Sequence, residues 1–81
     1  MEDFLEKIIS AIIAEPDQLE IQEGTEGEFS VYTIFVPEAE VGKIIGKGGR
    51  VINALRTLCR LKTMKTGEHV LIKVESKEAK G

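Results

Sequence analysis

Apolar residues fall in two rhythms along the chain, and each change of rhythm marks an element. Over Glu2–Glu15, Phe4, Leu5, Ile8, Ile9, Ile12 and Ile13 recur every three or four residues, which predicts an amphipathic helix with its stripe toward a core. Asp3 followed by Glu6 predicts a capping box at its start, and Pro16 ends it by pushing the preceding residue out of the α region. From Leu19 to Glu23 the period shortens to two, predicting a strand, and Gly24-Thr25-Glu26-Gly27 reads as a hairpin turn. Glu28–Val36 is the second predicted strand, rich in β-branched and aromatic residues. Both of its phases are apolar. If Tyr32, Ile34 and Val36 face the core, Phe29, Val31 and Phe35 lie on the opposite face, where so short a chain leaves no second layer; such a face is a candidate partner surface.

Pro37–Glu40 reads as the exit from this strand and Val41–Ile45 as little more than one helical turn. Arg50 to Met64 is predicted to be a longer helix, with Val51, Ile52, Leu55, Leu58 and Cys59 inward and Arg50, Asn53, Arg56, Thr57 and Arg60 outward. Thr66-Gly67 ends it, and Val70, Ile72 and Val74, alternating with Leu71 and Lys73, predict a third strand. The order is therefore α-β-β-α-α-β, an α+β fold of two layers in which a three-stranded sheet carries the helices on one face. Residues 1–75 are expected to form one domain and 76–81 a polar tail.

Composition narrows the chemistry. With 42% hydrophobic and 31% charged residues in 81, the chain is globular and supports one small core. A single cysteine, Cys59, excludes an internal disulfide and a Cys-rich metal site, and His69 is the only histidine. No catalytic set, metal, cofactor or small-molecule substrate is expected. No apolar run is long enough to span a bilayer, and the acidic start (Glu2, Asp3) suits no secretory leader, so the expected compartment is the cytoplasm. Charge changes the picture most. Between Val41 and Gly67 stand seven bases (Lys43, Lys47, Arg50, Arg56, Arg60, Lys62, Lys65) and no acid; the stretch is +7, the remainder −10, the whole −3. A polyanion meets the local field, and here that field is basic.

Ile45-Gly46-Lys47-Gly48-Gly49-Arg50-Val51-Ile52 lies in the middle of the basic stretch. Glycines permit positive φ and close approach, and a helix opening right after them offers free N–H groups and the positive end of its dipole to phosphate. Two familiar nucleotide motifs fail. A Walker A loop needs four residues between its first glycine and Gly-Lys-Ser/Thr; Gly42 and Gly46 are separated by three, and Gly48 follows Lys47 where the hydroxyl should be. In the dinucleotide fingerprint a glycine would replace Val51, and a strand would come directly before the loop. What remains is the G-x-x-G turn between a short and a long helix, flanked by strands, that clamps the backbone of single-stranded nucleic acid.

At these residues the chain resembles the KH domain family, and its helix-first order is similar to the type II arrangement. The Ile-Gly-Lys-Gly-Gly-Arg-Val-Ile string matches the family's I-G-x-x-G-x-x-I pattern, and Ala54-Leu55-Arg56-Thr57 with the proline-acid turn before the loop resembles the small stand-alone bacterial KH proteins of the KhpA type. The resemblance runs from the first helix to the third strand. It implies a bacterial RNA-binding post-transcriptional regulator or RNA chaperone whose partner is single-stranded RNA. The contacts it implies are Lys43, Ile44, Ile45, Gly46, Lys47, Gly48, Gly49, Arg50 and Ile52. Gly46 and Gly49 would permit the turn, Lys47, Gly48 and the amides near Arg50 would meet phosphates, and the isoleucines, with Val36, would border an apolar groove. Plain core packing is the competing reading for Ile45 and Ile52 more than for Ile44. Thr63–Glu68 would form the wall opposite. The resemblance also implies homodimers or pairing with a larger Jag-type KH protein, so a dimerisation domain is the alternative function. No aromatic residue sits in the glycine loop, so backbone contacts rather than base stacking are the expected mode.

Overall fold

Phe29–Pro37 is the strand on which the other elements are laid. In the computed structural model, which describes residues 1–77, it is β2, the middle strand of three, with β1 (Glu20–Glu26) antiparallel on one side and β3 (His69–Lys77) parallel on the other. A parallel return needs a crossover, and α2 (Glu38–Ile45) and α3 (Arg50–Thr63) supply it. They share one face of the sheet with α1 (Glu2–Ile12). The expected α+β order of α-β-β-α-α-β, two layers with helices on one face, is the order observed.

Alternation along β2 sets the core. Tyr32, Ile34 and Val36 point inward and are buried; Leu5 and Ile9 of α1, Ile44 of α2, Ile52, Leu55 and Cys59 of α3 and Ile72 of β3 close over them. Full burial of each large aliphatic side chain contributes about 1.5–3 kcal/mol before conformational entropy is counted.

Several boundaries differ from the sequence expectation, each for a physical reason. The hairpin turn is Gly27-Glu28, not Gly24–Gly27: Glu26 pairs with Phe29 and Gly24 with Val31, so β1 runs three residues further. A two-residue loop matches strand twist best, and Gly27 supplies φ 64°. No capping box forms on α1; Asp3 lies inside its first turn, where a carboxylate faces the positive helix end. The helix stops at Ile12, not Glu15, because Ile13 turns extended and buries its side chain, while the next two N–H groups bond to Glu40. Helix α2 starts at Glu38, so most of the segment read as a turn is helical, with Glu38 and Glu40 in its first turn. Ser76 and Lys77, expected in the tail, pair with Val36 and Pro37 as the end of β3; the rest of that tail lies outside the described residues.

The outer sheet face, read from the sequence as a candidate partner surface, carries charge over part of its apolar residues. Lys73 of β3 reaches Glu26 of β1 at 3.6 Å and Lys77 reaches Glu20 at 3.7 Å, so two ion pairs bridge across β2. Val31 beneath them is buried, and Phe35 and Leu71 are half-buried. Phe29, at the start of the same strand phase, stays exposed; the other exposed large apolar side chains are Ile45 of α2, Leu58 and Leu61 of α3 and Met64 just after it.

Candidate nucleic-acid interface

Between α2 and α3 the chain turns on three glycines. Gly46 ends α2 at φ 77°, ψ 170°, with its N–H bonded to the Gly42 carbonyl at 2.8 Å. A Cβ there would stand 2.5 Å from Val51 Cγ2 and 2.9 Å from the Val51 nitrogen, so the site admits only glycine. Gly48 (φ 66°) and Gly49 (φ 78°) follow in the left-handed region. The Gly49 N–H donates to the Gly46 carbonyl at 3.1 Å and the Arg50 N–H to the Lys47 carbonyl. Among the described residues, the N–H groups of Lys47 and Gly48 make no hydrogen bond outside the helical turns. These adjacent donors stand at an exposed turn, in the geometry that makes a small concavity for an anion. Of the amides near Arg50 that the sequence reading assigned to phosphate, that of Arg50 itself is engaged by the Lys47 carbonyl.

Helix α3 begins at Arg50 with neither a side-chain cap nor an acid in its first turn, so the positive end of its dipole is left uncompensated beside the loop. Lys47 and Arg50 are exposed there. The other bases divide. Lys43 Nζ is 3.1 Å from Glu40 Oε1, which ties it to the protein. Lys62 lies 4.9 Å above the Phe4 ring and belongs to the α1 side. Arg56 leans over the edge of β3, its Nη2 at 3.5 Å from the Ile72 carbonyl, and Arg60 follows it one helical turn on.

The apolar residues are arranged differently from the expectation. Ile44 is fully buried in the core and Ile45 is 38% exposed, so the two exchange places. A helix of eight residues buries one narrow stripe, and Ile44 shares it with Glu40, four residues earlier. Ile52 is 8% exposed and Val36 fully buried, so both act from beneath the surface. Thr63 is buried, and the loop after it closes the far end of α3, about 20 Å along the helix from the glycine turn; the wall facing α3 is β3 itself. On α3, Leu58 is 43% exposed where an inward position was expected; Thr63 takes the inner place, its hydroxyl bonded to the Cys59 carbonyl at 3.0 Å.

The sequence profile of the family described as KhpA/KhpB, KH domain matches residues 2–74 of this chain. The chain belongs to that family. It is similar to the RNA-binding protein KhpA of Chlamydia caviae, 36% identical over 80 residues that cover 99% of this chain and all of the relative. It is likewise similar to the protein of that name in Thermotoga maritima, 41% identical over 58 residues, or 72% of this chain and 77% of the relative. The KhpA of Streptococcus pneumoniae is 34% identical over 58 residues, 72% of this chain and 73% of its own.

Two features of this KH domain escaped the sequence reading. Glu40 is a buried acid whose Oε2 accepts the N–H groups of Ala14 (3.0 Å) and Glu15 (2.9 Å), tying the exit of α1 to the helix that leads into the glycine turn. Burial disfavours its charge, yet the Lys43 ammonium and the two amides outweigh burial and hold its pKa below the ordinary carboxylate value. The second is Phe29 beside His69, ring centroids 5.5 Å apart, at the end of the space between α3 and β3. Spacing could not reveal either, since each joins residues far apart in sequence. Cys59, by contrast, behaves as read: it is buried, and burial pushes its thiol pKa up, away from reactivity.

Proposed function

We propose that this domain binds single-stranded RNA by its backbone, with phosphates held on the Lys47 and Gly48 N–H groups and on the Lys47 and Arg50 side chains. The observation that carries the reading is the pair of adjacent amides at an exposed basic turn, ahead of a helix with no competing cap. Gly46 and Gly49 make the turn, Ile45 and the edge of Ile52 form the apolar floor beside it with Ile44 packed beneath, and Lys43 adds charge reduced by Glu40. The naming of the relatives as RNA-binding proteins supports the same reading. Recognition through backbone and charge suits a cytoplasmic bacterial regulator or RNA chaperone that accepts many sequences.

A second function accompanies it: self-pairing, or pairing with a Jag-type KH protein, through the apolar stripe Leu58, Leu61 and Met64. Two linked binding sites would gain from effective concentration. The double substitution Lys47→Asp with Gly48→Asp separates the two. RNA affinity should drop about 100-fold or more, two charge-assisted contacts at roughly 1.5 kcal/mol or more each, while mass in solution and helicity stay unchanged. Unchanged RNA affinity would sink the backbone reading; a change of mass alone would move the glycine turn into a protein contact.

A further inference from the structure

The charge that is segregated along the sequence is segregated across the sheet as well. Basic α3 packs on β3, and α1, with Glu2, Asp3 and Glu6, packs on β1. The two outer strands therefore differ. At β3 the protein engages its own edge, since Arg56 of α3 donates to the Ile72 carbonyl. Among the described residues no strand pairs with the far side of β1, and all of its residues except Ile21 are exposed. Antiparallel pairing leaves alternate residues of an edge strand with both main-chain groups pointing away from the partner. The two-residue turn closes on the pair Glu26 and Phe29, so Gln22, Gly24 and Glu26 bond to β2. The N–H and C=O groups of Ile21, Glu23 and Thr25 then face outward.

Beside this edge, α1 and the start of β1 form a groove of about 230 Å³. Half-buried Leu19 and Ile21 make its floor, and exposed Glu2, Glu6 and Glu20 its rim. Lys77 draws on Glu20, but among the described residues no ion pair engages Glu2 or Glu6. No base, proline or bulge interrupts β1, whose charged residues are Glu20, Glu23 and Glu26. Such an edge is closed to a second copy of itself. Antiparallel pairing about Glu23 would set each Glu20 opposite a Glu26 and Glu23 opposite its own copy. A strand of the other charge is welcome there. Lysine or arginine suits both parts of the groove, its aliphatic stem over Leu19 and Ile21 and its cation beside Glu2 and Glu6. We propose that the β1 edge and its groove take up an extended basic segment of another protein, which adds to the sheet as a fourth strand. The domain then holds a cationic polypeptide at one edge of the sheet while α3 keeps its bases at the other. This site is separate from the glycine turn and does not depend on what that turn binds.

The test follows amide hydrogen exchange by NMR on the full chain, alone and with two probes of equal charge. One is the end-blocked peptide Lys-Thr-Lys-Thr-Lys-Thr-Lys; the other is spermine, which has no main chain. With the peptide at about ten times its Kd, exchange at Ile21, Glu23 and Thr25 should slow about 10-fold, while Gln22, Gly24 and Glu26, already in the ladder, should change little. Spermine should leave the three outward amides as they were, and the glutamate counterpart of the peptide should not bind. Glu2→Gln/Glu6→Gln should weaken peptide binding about 3-fold or more, as two exposed ion pairs are lost. Both side chains are exposed, and circular dichroism with a thermal melt checks that the fold is kept. Failure of the lysine peptide to bind, binding without slowing at the three outward amides, equal slowing by spermine, or an affinity that the double variant leaves unchanged would overturn the proposal. So would slowing of the same amides when the chain alone is concentrated, which would give the edge to a second copy.

Discussion

Two of the glycine turns among the described residues, the β1–β2 hairpin and the turn between α2 and α3, differ sharply in charge and in backbone geometry. At the β1–β2 hairpin, Gly24 is absorbed into a strand, Gly27 supplies the single positive φ that a two-residue loop uses, and Glu23, Glu26 and Glu28 crowd around it. At the α2–α3 turn, three glycines at positive φ hold a bend at which Lys47 and Gly48 stand exposed among bases. Gly24–Gly27 and Gly46–Gly49 share the Gly-x-x-Gly spacing, the second with one glycine more. The difference lies in the backbone geometry and in the sign of the neighbours. In the hairpin the ladder runs up to the two-residue loop and the acidic neighbours repel an anion; between the helices the bend is three glycines long and the basic neighbours attract one.

Alanine substitution should separate the two turns most sharply. Gly46→Ala puts a Cβ against the Val51 side chain and backbone in a φ/ψ region that only glycine occupies comfortably. Backbone strain and overpacking together should cost about 2–5 kcal/mol, lowering the melting midpoint by about 10 °C or more. Gly24→Ala meets nothing within 4 Å at an ordinary φ, and glycine is a poor strand residue, so the midpoint should hold or rise by the equivalent of about 0.5 kcal/mol. Equal melting curves for the two variants would mean that the Gly46 turn relaxes in solution.

What the sequence reveals about these turns follows from the range of the interactions. The glycine turn between helices is local: the residues that shape it are contiguous, so its position and its positive φ angles could be read directly. Which side of β2 faces the core stayed open in the sequence, because both phases are apolar, and it is the packing of the helices on Tyr32, Ile34 and Val36 that decides it. Residues whose place depends on a distant partner were not legible. On α3 the apolar positions 51, 52, 55, 58 and 59 span a stripe wider than the contact with the sheet, and nothing local says that Leu58 falls outside it. Whether Ile44 or Ile45 faces inward depends on the roll of α2, which Glu40 sets through a contact 26 residues back in the chain. Phe29 and His69 meet only because β3 returns parallel to β2.

Salt dependence probes the electrostatic half of the comparison. If two to four phosphates are neutralised at the basic turn, log K should fall with log salt at a slope of roughly −1.4 to −2.8, taking about −0.7 for each single-strand phosphate. Lys47→Ala should flatten that slope by about 0.7, whereas Glu28→Gln in the hairpin should leave it as it was, because no phosphate is held there. Titrations at four or more salt concentrations decide it, and a wild-type slope near zero would remove backbone binding as the mode.

Glu40 offers the smallest and most specific lever, because it acts on the stem of one turn and not on the other. Its folded-state pKa is lowered, against burial, by Lys43 and by the Ala14 and Glu15 amides. A lowered folded pKa means that the unfolded chain takes up its proton first as pH falls. The stabilisation is therefore complete above the ordinary carboxylate range near 4.3 and is lost as pH drops through the folded value. Glu40→Gln keeps an oxygen for the amides but loses the charge, so it should melt lower than wild type at pH 7 and show a flatter loss of stability on acidification, other carboxylates supplying the rest. Meanwhile Lys43, freed from its partner beside the glycine turn, should leave RNA affinity at pH 7 unchanged or slightly raised. Parallel acid limbs in the two proteins would show that the Glu40 bonds do not persist in solution; weaker RNA binding with an intact fold would show that Glu40 sets the shape of the turn itself and does more than anchor its stem.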